Sequence, residues 1–332
     1  MYGIFHALVA YKEGENVKLS LKKLGQEDLP EGEILIRVDY SSVNYKDGLA
    51  SSANGRVVSR YPIVPGIDLA GTVLSSKDSR FHPGDEVIAT SYDIGTGRYG
   101  GYSEIACIPA DYVVPLPKGL TMREAMILGT AGFTAALSVQ RLEDNGLHPG
   151  QGLVAVAGAT GGVGSHAVSM LAGLGYEVHA STGKKAEHEY LLSLGAAQVL
   201  PREAFTAADE KPLRKQLWAA AVDPVGGKVT PYLLSTVKYG GSVALSGMAA
   251  GNGVSTSVFP FILRGVNLLG IDSVYCPMPV RERVWQRLAG DWKPAGLESM
   301  VNREVGLKEL PQALEDILAS RIRGRVLVNL QK

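Results

Sequence analysis

Cysteine is nearly missing from this chain: Cys107 and Cys276 are the only two in 332 residues. A four-cysteine zinc site is therefore impossible, and so long a chain has no need of a disulfide staple. Both thiols read as reduced and mostly buried, since free cysteine packs as a small hydrophobe. An excess of charge of one sign is missing too. Lysine plus arginine total 33, as do aspartate plus glutamate, so there is no global footprint of the kind that nucleic acid or an anionic membrane surface requires. Long apolar runs are also lacking. The two extended charge-free stretches, 145–176 and 239–263, are broken by glycines and by Gln151, Ser165, His166, Ser255, Thr256 and Ser257, whereas a spanning helix needs about 20 predominantly apolar residues. The start, Met1 to Ala10, has no basic region and runs into Lys12 and Glu13, which reads as an opening strand and not as a signal peptide. A cytoplasmic protein with no nucleic-acid and no membrane partner is expected.

Glycine, by contrast, is abundant. It fills 40 of 332 positions, about 12% against a usual 7% or so. With apolar residues at 45%, an ordinary core is available, so the excess marks places where the backbone bends sharply or approaches something closely. The length suits two domains of roughly 150 residues each, and the two halves differ in pattern. Up to about residue 125 the chain reads as strands and turns. Ile34 to Tyr40 alternates with period two, Asp85 to Ala89 and Tyr112 to Pro115 are further short strands, and seven prolines between Pro30 and Pro117 disfavour long helices. Beyond it, strand alternates with helix: Leu153 to Ala157, helix Gly162 to Leu174, Glu177 to Ala180, helix Lys185 to Leu194, Gln198 to Leu200, and later Ala220 to Asp223, Ser242 to Leu245 and Leu268 to Ile271. That order predicts a parallel sheet covered by helices on both faces. A final helix (Leu310 to Ser320) and strand (Arg325 to Leu330) are placed with the first domain.

The most informative segment joins the apolar strand to the first of those helices: Gly158-Ala159-Thr160-Gly161-Gly162-Val163-Gly164. In this context Gly158 permits a tight turn, Gly161 lets the backbone approach a pyrophosphate, and Gly164 lets helix pack closely on strand. The helix amino terminus then offers N–H groups to phosphates. The end of the second strand selects between dinucleotides. An acidic residue there would bind the ribose hydroxyls of NAD and repel a 2′-phosphate; this chain has Ser181-Thr182-Gly183-Lys184-Lys185. NADPH is the expected cofactor, unless both lysines are merely solvated residues at a helix start.

At this point the chain resembles a known group. The glycine loop, Gly129-Thr130-Ala131-Gly132-Phe133-Thr134-Ala135, Gly66-Ile67-Asp68-Leu69-Ala70-Gly71 and Pro83-Gly84-Asp85-Glu86-Val87 are similar to the medium-chain dehydrogenase/reductase superfamily. More narrowly, Ser42-Val43-Asn44-Tyr45-Lys46-Asp47-Gly48, Val222-Asp223-Pro224-Val225-Gly226-Gly227 and Pro260-Phe261-Ile262-Leu263-Arg264 with Gly270-Ile271-Asp272-Ser273 resemble its acrylyl-CoA reductase and quinone oxidoreductase subfamily. The resemblance runs essentially end to end. It implies an α/β protein: a GroES-like β-rich catalytic domain (1–125 and 298–332), a Rossmann doubly wound parallel-sheet domain binding NADPH (126–297), and an active site between them.

The departures from zinc-containing members bear on the chemistry. Those alcohol dehydrogenases have a cysteine in the loop occupied here by Asn44 to Asp47, and a His-Glu pair where this chain has Ile67-Asp68. Without those ligands no metal is expected to polarise an alkoxide, and hydride delivery to an activated carbon is favoured: an enone, an enoyl thioester or a quinone. Tyr45 is the candidate proton donor, since a phenol is protonated at neutral pH, although it could simply stack beside the nicotinamide. Asn44 could position the substrate carbonyl, and Lys46 or Asp47 could orient Tyr45. Asp68 reads as structural.

By resemblance, Thr134, Ser246, Gly247, Ile262 and Ser273 are expected near the cofactor, Arg202 near the adenosine phosphate, and Arg325 as a weaker contact. Arg202 could equally be a solvated charge. Arg56, Arg60, Arg80 and Arg98 lie in loops that could meet the phosphates of a CoA ester, or could be ordinary surface charge. The apolar strand Leu268 to Ile271 would end the sheet, and exposed edges invite pairing, so a homodimer is expected. The leading reading is NADPH-dependent reduction of an activated C=C bond in a small-molecule substrate such as acrylyl-CoA. Quinone reduction is the enzymatic alternative, and a crystallin-like or regulatory NADPH-binding protein the non-enzymatic one.

Overall fold

The computed structural model describes residues 3–206 and 211–332. In chain order the first elements are β1 (Phe5–Glu13), β2 (Asn16–Leu24), β3 (Ile34–Ser42), the short helix α1 (Tyr45–Ala50), β4 (Asp68–Ser76), β5 (Glu86–Thr90), β6 (Ile105–Ile108) and β7 (Val113–Pro115). The long element α2 (Met122–Asp144) follows, then β8 (Val154–Val156), α3 (Gly162–Gly173), β9 (Val178–Thr182), α4 (His188–Ser193), β10 (Gln198–Pro201) and β11 (Trp218–Asp223). The remainder is α5 (Val229–Thr236), β12 (Val237–Leu245), α6 (Phe259–Arg264), β13 (Asn267–Gly270), α7 (Met278–Leu288), β14 (Val301–Val305), α8 (Leu310–Leu318) and β15 (Arg325–Asn329). The opening strand begins at Phe5; Met1 and Tyr2, at the start of the expected strand, lie outside the described residues.

Two compact units emerge: 1–130 with 274–289 and 297–332, and 131–273 with 290–296. The segment 274–289, assigned from sequence to the nucleotide domain, clusters with the first unit. It contains α7, whose Pro279 stands in the first turn, where a missing N–H removes no helical hydrogen bond.

The first unit is built on a hairpin of β1 and β2 and a seven-stranded sheet ordered β14-β15-β3-β4-β5-β7, with β6 paired to β3. Alternation in β3 sends Ile34, Ile36 and Val38 into a core shared with Leu69, Val87, Val326 and Val328. The carboxy-terminal helix α8 adds Leu310, Ala313 and Leu314 to it. Each such aliphatic side chain, fully buried, contributes roughly 1.5–3 kcal/mol. Helix α1 lies close to α8: a Cβ on Gly48 would come within 2.8 Å of Leu318.

The second unit is a six-stranded parallel sheet ordered β10-β9-β8-β11-β12-β13. Numbered within the unit this is 3-2-1-4-5-6, the doubly wound order whose ligand crevice opens at the carboxyl ends of the strands where the order reverses, here between β8 and β11. The strand β11 is buried at every residue, which explains its unbroken apolar run. Strand β13 ends the sheet. No helix among the described residues is long and apolar enough to cross a membrane, and both cysteines are free thiols.

Candidate active site

In the first unit, Tyr45 opens α1 and is 48% exposed. Its neighbours in the motif turn the other way. Asp47 is completely buried and accepts the N–H groups of Asn44 (2.8 Å) and Ile67 (2.9 Å), so it fastens the start of α1 to the approach of β4. Burial, and then the charge of Asp68, push its carboxyl up to about 7, against the pull of those two N–H groups and of the Tyr102 hydroxyl. The expectation that Asp47 orients the Tyr45 side chain thus takes a different form: it holds the backbone from which Tyr45 projects. Lys46 is half-buried.

Asn44 is also turned inward. Its amide donates to Asp68 Oδ2 (2.7 Å) and its oxygen accepts from Arg325 Nη1 (3.3 Å). Both ends of the side chain are therefore engaged below the surface, with Asp68 and Arg325, where a contact to a substrate carbonyl had been expected. Asp68 is the hub beneath it. It accepts from Ser42 Oγ (2.7 Å), Asn44, Thr130 N (2.9 Å) and Thr130 Oγ1 (2.6 Å), with Arg325 Nη2 at 3.8 Å.

Arg325, expected as a cofactor contact, is fully buried and spent on the protein. It donates to Ile127 O (2.9 Å), Val43 O (3.2 Å), Asn44 and Ser42 Oγ (2.7 Å). Burial draws its guanidinium down from its ordinary value, opposed by Asp68 and Asp47. A buried charge is tolerable only when paired and hydrogen-bonded, and this knot supplies both.

Sequence reasoning missed Ser42, Thr130 and the turn at Ser91-Tyr92 as parts of this arrangement. Ser91 and Tyr92 both adopt left-handed φ (66° and 48°), and the Ser91 hydroxyl meets that of Thr130 at 2.9 Å. Backbone strain of this kind persists where the surroundings over-determine it. Gly129 explains the glycine in the Gly129-Thr130 motif. It breaks α2 with φ 50°, and a Cβ there would lie 2.5 Å from Asp68 Oδ2 and 2.8 Å from both Arg325 Nη2 and Ser42 Oγ.

In the second unit the glycine loop closes as its spacing implies. Gly158 has φ 55°, and Gly164 sits so near the Gly158 carbonyl that a Cβ would come within 2.4 Å of it. A Cβ on Gly161 would meet nothing nearer than 3.4 Å, so its outer side is open. The N–H groups of Gly162, Val163 and Gly164 in the first turn of α3 have no intrahelical partner and face the phosphate-binding task the motif describes. Thr160 Oγ1 pairs with Thr182 Oγ1 at 3.0 Å, joining this loop to the end of β9.

The basic feature at that end differs from the Lys184-Lys185 pair read in the sequence. Strands β9 and β10 pair in parallel with Thr182 opposite Pro201, so the next residues, Gly183 and Arg202, come together. The Arg202 guanidinium lies across Gly183, 2.6 Å from where a Cβ would stand. Burial lowers the Lys184 pKa, against the charge of Glu187 and with a smaller contribution from the positive charge of Arg202. Lys184 and Arg202 thus stand as neighbouring positive charges beside Gly183, with the opposite charge of Glu187 also acting on Lys184, while Lys185 is exposed. Ser181 is buried and donates to Pro201 O (3.4 Å).

The loops after β11 and β12 pack on each other: a Cβ on Gly247 would strike Pro224 O at 2.1 Å. The Ser246 hydroxyl is shielded and has no protein partner among the described residues, an orphaned polar atom of the kind that a bound cofactor satisfies. Thr134 and Ser273 are buried. Ile262, expected near the cofactor, is 69% exposed on α6 beside the exposed apolar residues Val258, Phe259 and Leu263. Among the described residues no three His, Cys, Asp or Glu side chains gather as metal ligands.

Comparison with known proteins places these features. Residues 30–118 match the alcohol dehydrogenase GroES-like domain and residues 162–290 the zinc-binding dehydrogenase family. The chain is 50% identical to the acrylyl-CoA reductase AcuI of Ruegeria pomeroyi, over 98% of this chain and 99% of that one. Its fold matches the crystal structure of Bacillus subtilis YhfP with NAD bound (TM-score 0.97, 57% identity, 99% of this chain and 100% of that one); YhfP carries a provisional quinone oxidoreductase name. It also matches Escherichia coli K-12 YhdH with bound NADPH (TM-score 0.94, 46% identity, 98% and 99%). The chain belongs to the medium-chain dehydrogenase/reductase superfamily, as an oxidoreductase of the group that includes AcuI and YhfP.

Proposed function

We propose that the protein reduces the activated C=C bond of a short enoyl thioester, acrylyl-CoA first among them, with NADPH as the hydride source. When bound, NADPH supplies a hydride for the β-carbon. The chain's own contribution is the proton for the α-carbon, which the Tyr45 hydroxyl delivers and solvent then replaces through the exposed side of the ring. The observation that carries this reading is the isolation of Tyr45: every other polar side chain of its motif except Lys46 is turned into the buried knot, which leaves one phenol presented outward at the start of α1. The AcuI relative's own substrate supports the thioester.

The choice of NADPH rests on Lys184 and Arg202 flanking Gly183 and on the lack of a carboxylate at Ser181-Thr182-Gly183. Glycine-loop residues Gly158 to Gly164 would hold the pyrophosphate and the Ser246 hydroxyl would gain a partner. No step in this reading requires a metal, in keeping with the loop Asn44 to Asp47 and with Ile67-Asp68 where zinc-containing relatives have a cysteine and a His-Glu pair. Quinone reduction is the second reading, favoured by the provisional name of YhfP. To separate them, NADPH oxidation is followed with acrylyl-CoA, a small enone and a quinone in parallel. The thioester should give the highest kcat/KM; a quinone that outpaces both other substrates would overturn the assignment.

The same reading extends to a homodimer joined along β13. That edge strand exposes Leu268, and the preceding α6 exposes Ile262 and Leu263; unpaired edges beside apolar surface are sites of association. Light scattering at micromolar concentration should report twice the chain mass, and a monomer there would refute the dimer.

A further inference from the structure

Of the four arginines that the sequence offers as partners for substrate phosphates, the structure spends two. Arg80 is held by Asp78 (2.8 Å) and Asp111 (2.6 Å). Arg98 is held by Asp93 (2.9 Å) and Glu31 O (3.1 Å), with its guanidinium over the Tyr112 ring. Arg56 and Arg60 are different: both are exposed, and neither has an ion-pair or hydrogen-bond partner among the described residues. The same holds for Lys46, beside Tyr45. From Asn44 to Asp68 the only acids are Asp47 and Asp68 themselves, both fully buried. The whole excursion between α1 and β4 therefore shows water positive charge alone, in a protein of zero formal net charge.

The excursion is also built, not loose. Gly55 donates to Ser52 O (3.2 Å), Ser52 donates to Leu49 O (3.1 Å), and a Cβ on Gly55 would strike the Leu49 carbonyl at 1.8 Å. The chain thus folds back onto the carboxyl end of α1, one helical turn from Tyr45. Arg56 follows in the left-handed region with φ 52°, a conformation that a non-glycine residue keeps only where its surroundings impose it. Beyond it, Ser59 bonds Thr96 O through its N–H (3.1 Å), and the Tyr61 hydroxyl donates to Ala50 O (3.0 Å). Two unpaired guanidinium groups are held on a pinned loop that starts and ends at the helix carrying the proton donor.

We infer that this loop is the phosphate grip for the nucleotide end of a coenzyme A thioester, Arg56 and Arg60 holding phosphate oxygens while the acyl end lies at Tyr45. The inference rests on the enoyl-thioester reading and deepens it. Guanidinium groups suit this task because they meet phosphate oxygens through paired N–H donors. The phosphates of NADPH are the other source of the same chemistry, and they already have Lys184, Arg202 and the glycine loop.

The test is calorimetric titration of the full-length, NADP⁺-loaded protein with free coenzyme A and with pantetheine, which lacks the nucleotide phosphates. The wild type should bind coenzyme A with an affinity that falls as salt rises. Arg56→Gln and Arg60→Gln should each weaken it about tenfold, the ratio equivalent to about 1.4 kcal/mol, with pantetheine unaffected. A double variant that binds coenzyme A as tightly as the wild type would overturn the grip. So would an equal loss of affinity for NADPH and coenzyme A, which would assign the arginines to the dinucleotide. A wild type that binds coenzyme A through these arginines yet reduces only quinones would leave the grip standing and remove the thioester reductase.

Discussion

Tyr45→Phe should lower kcat by about 10²–10⁴-fold, the range that a positioned general acid contributes, while changing NADPH affinity by no more than about twofold. The ring is retained, so a stacking role would survive the substitution. The helix is retained as well, because α1 is fixed by the Asp47 carboxylate on the N–H groups of Asn44 and Ile67 and by the close approach of Gly48 to Leu318. The hydroxyl is the one element removed. Stopped-flow measurement of hydride transfer, with cofactor binding measured separately by fluorescence, distinguishes the two roles. Full turnover in the variant would take the proton-donor role away from Tyr45 and leave it a packing residue.

Removing the basic pair should convert the cofactor preference. Arg202→Ala and Lys184→Ala are each expected to weaken NADPH by roughly tenfold to a hundredfold, as the loss of a charge-assisted hydrogen bond of about 1.5–3 kcal/mol implies, with NADH affected little. The two effects should fall short of additivity, since both residues act on one phosphate and the charge of Arg202 already bears on Lys184. A double variant that still prefers NADPH in parallel titrations would show that discrimination lies elsewhere. Because YhfP was crystallised with NAD and YhdH with NADPH, the same titrations bear on how far this pair alone determines the choice.

The parts of the molecule legible in the sequence are those whose physics is local. The buried strand β8, the glycine loop and the first turn of α3 follow from a run of small and apolar residues a few positions long. The parallel sheet follows from the repeated alternation of strand and helix. Arg202 was harder to weigh because its partner, Gly183, is met only through the register of two parallel strands, and register is a property of the sheet and not of either segment. Helix α7 was hidden by its own proline, which reads as a breaker until its place in the first turn is known. The long element α2 was obscured by burial on most sides, which blurs the 3.6-residue period, and by the break at Gly129. Asn44 was given an outward role because a motif shows which residues are adjacent, not which way they point. The knot around Asp68 could not be read at all: its members, Ser42, Asn44, Thr130 and Arg325, are scattered over most of the chain and meet only in three dimensions.

That scatter has a consequence for the order in which the protein can be completed during synthesis. Asp47 and Asp68 leave the ribosome early, but the guanidinium that pairs with Asp68 belongs to β15, which follows every strand of the second unit in chain order. A nascent first unit lacking Arg325 would have to bury two carboxylates without their internal cation, a state whose desolvation cost is large. The second unit, by contrast, has all six of its sheet strands in hand once Gly270 is made. Of the two units, the one bearing Tyr45 is completed later: the chain can form its dinucleotide fold well before it can close the ground on which Tyr45 stands.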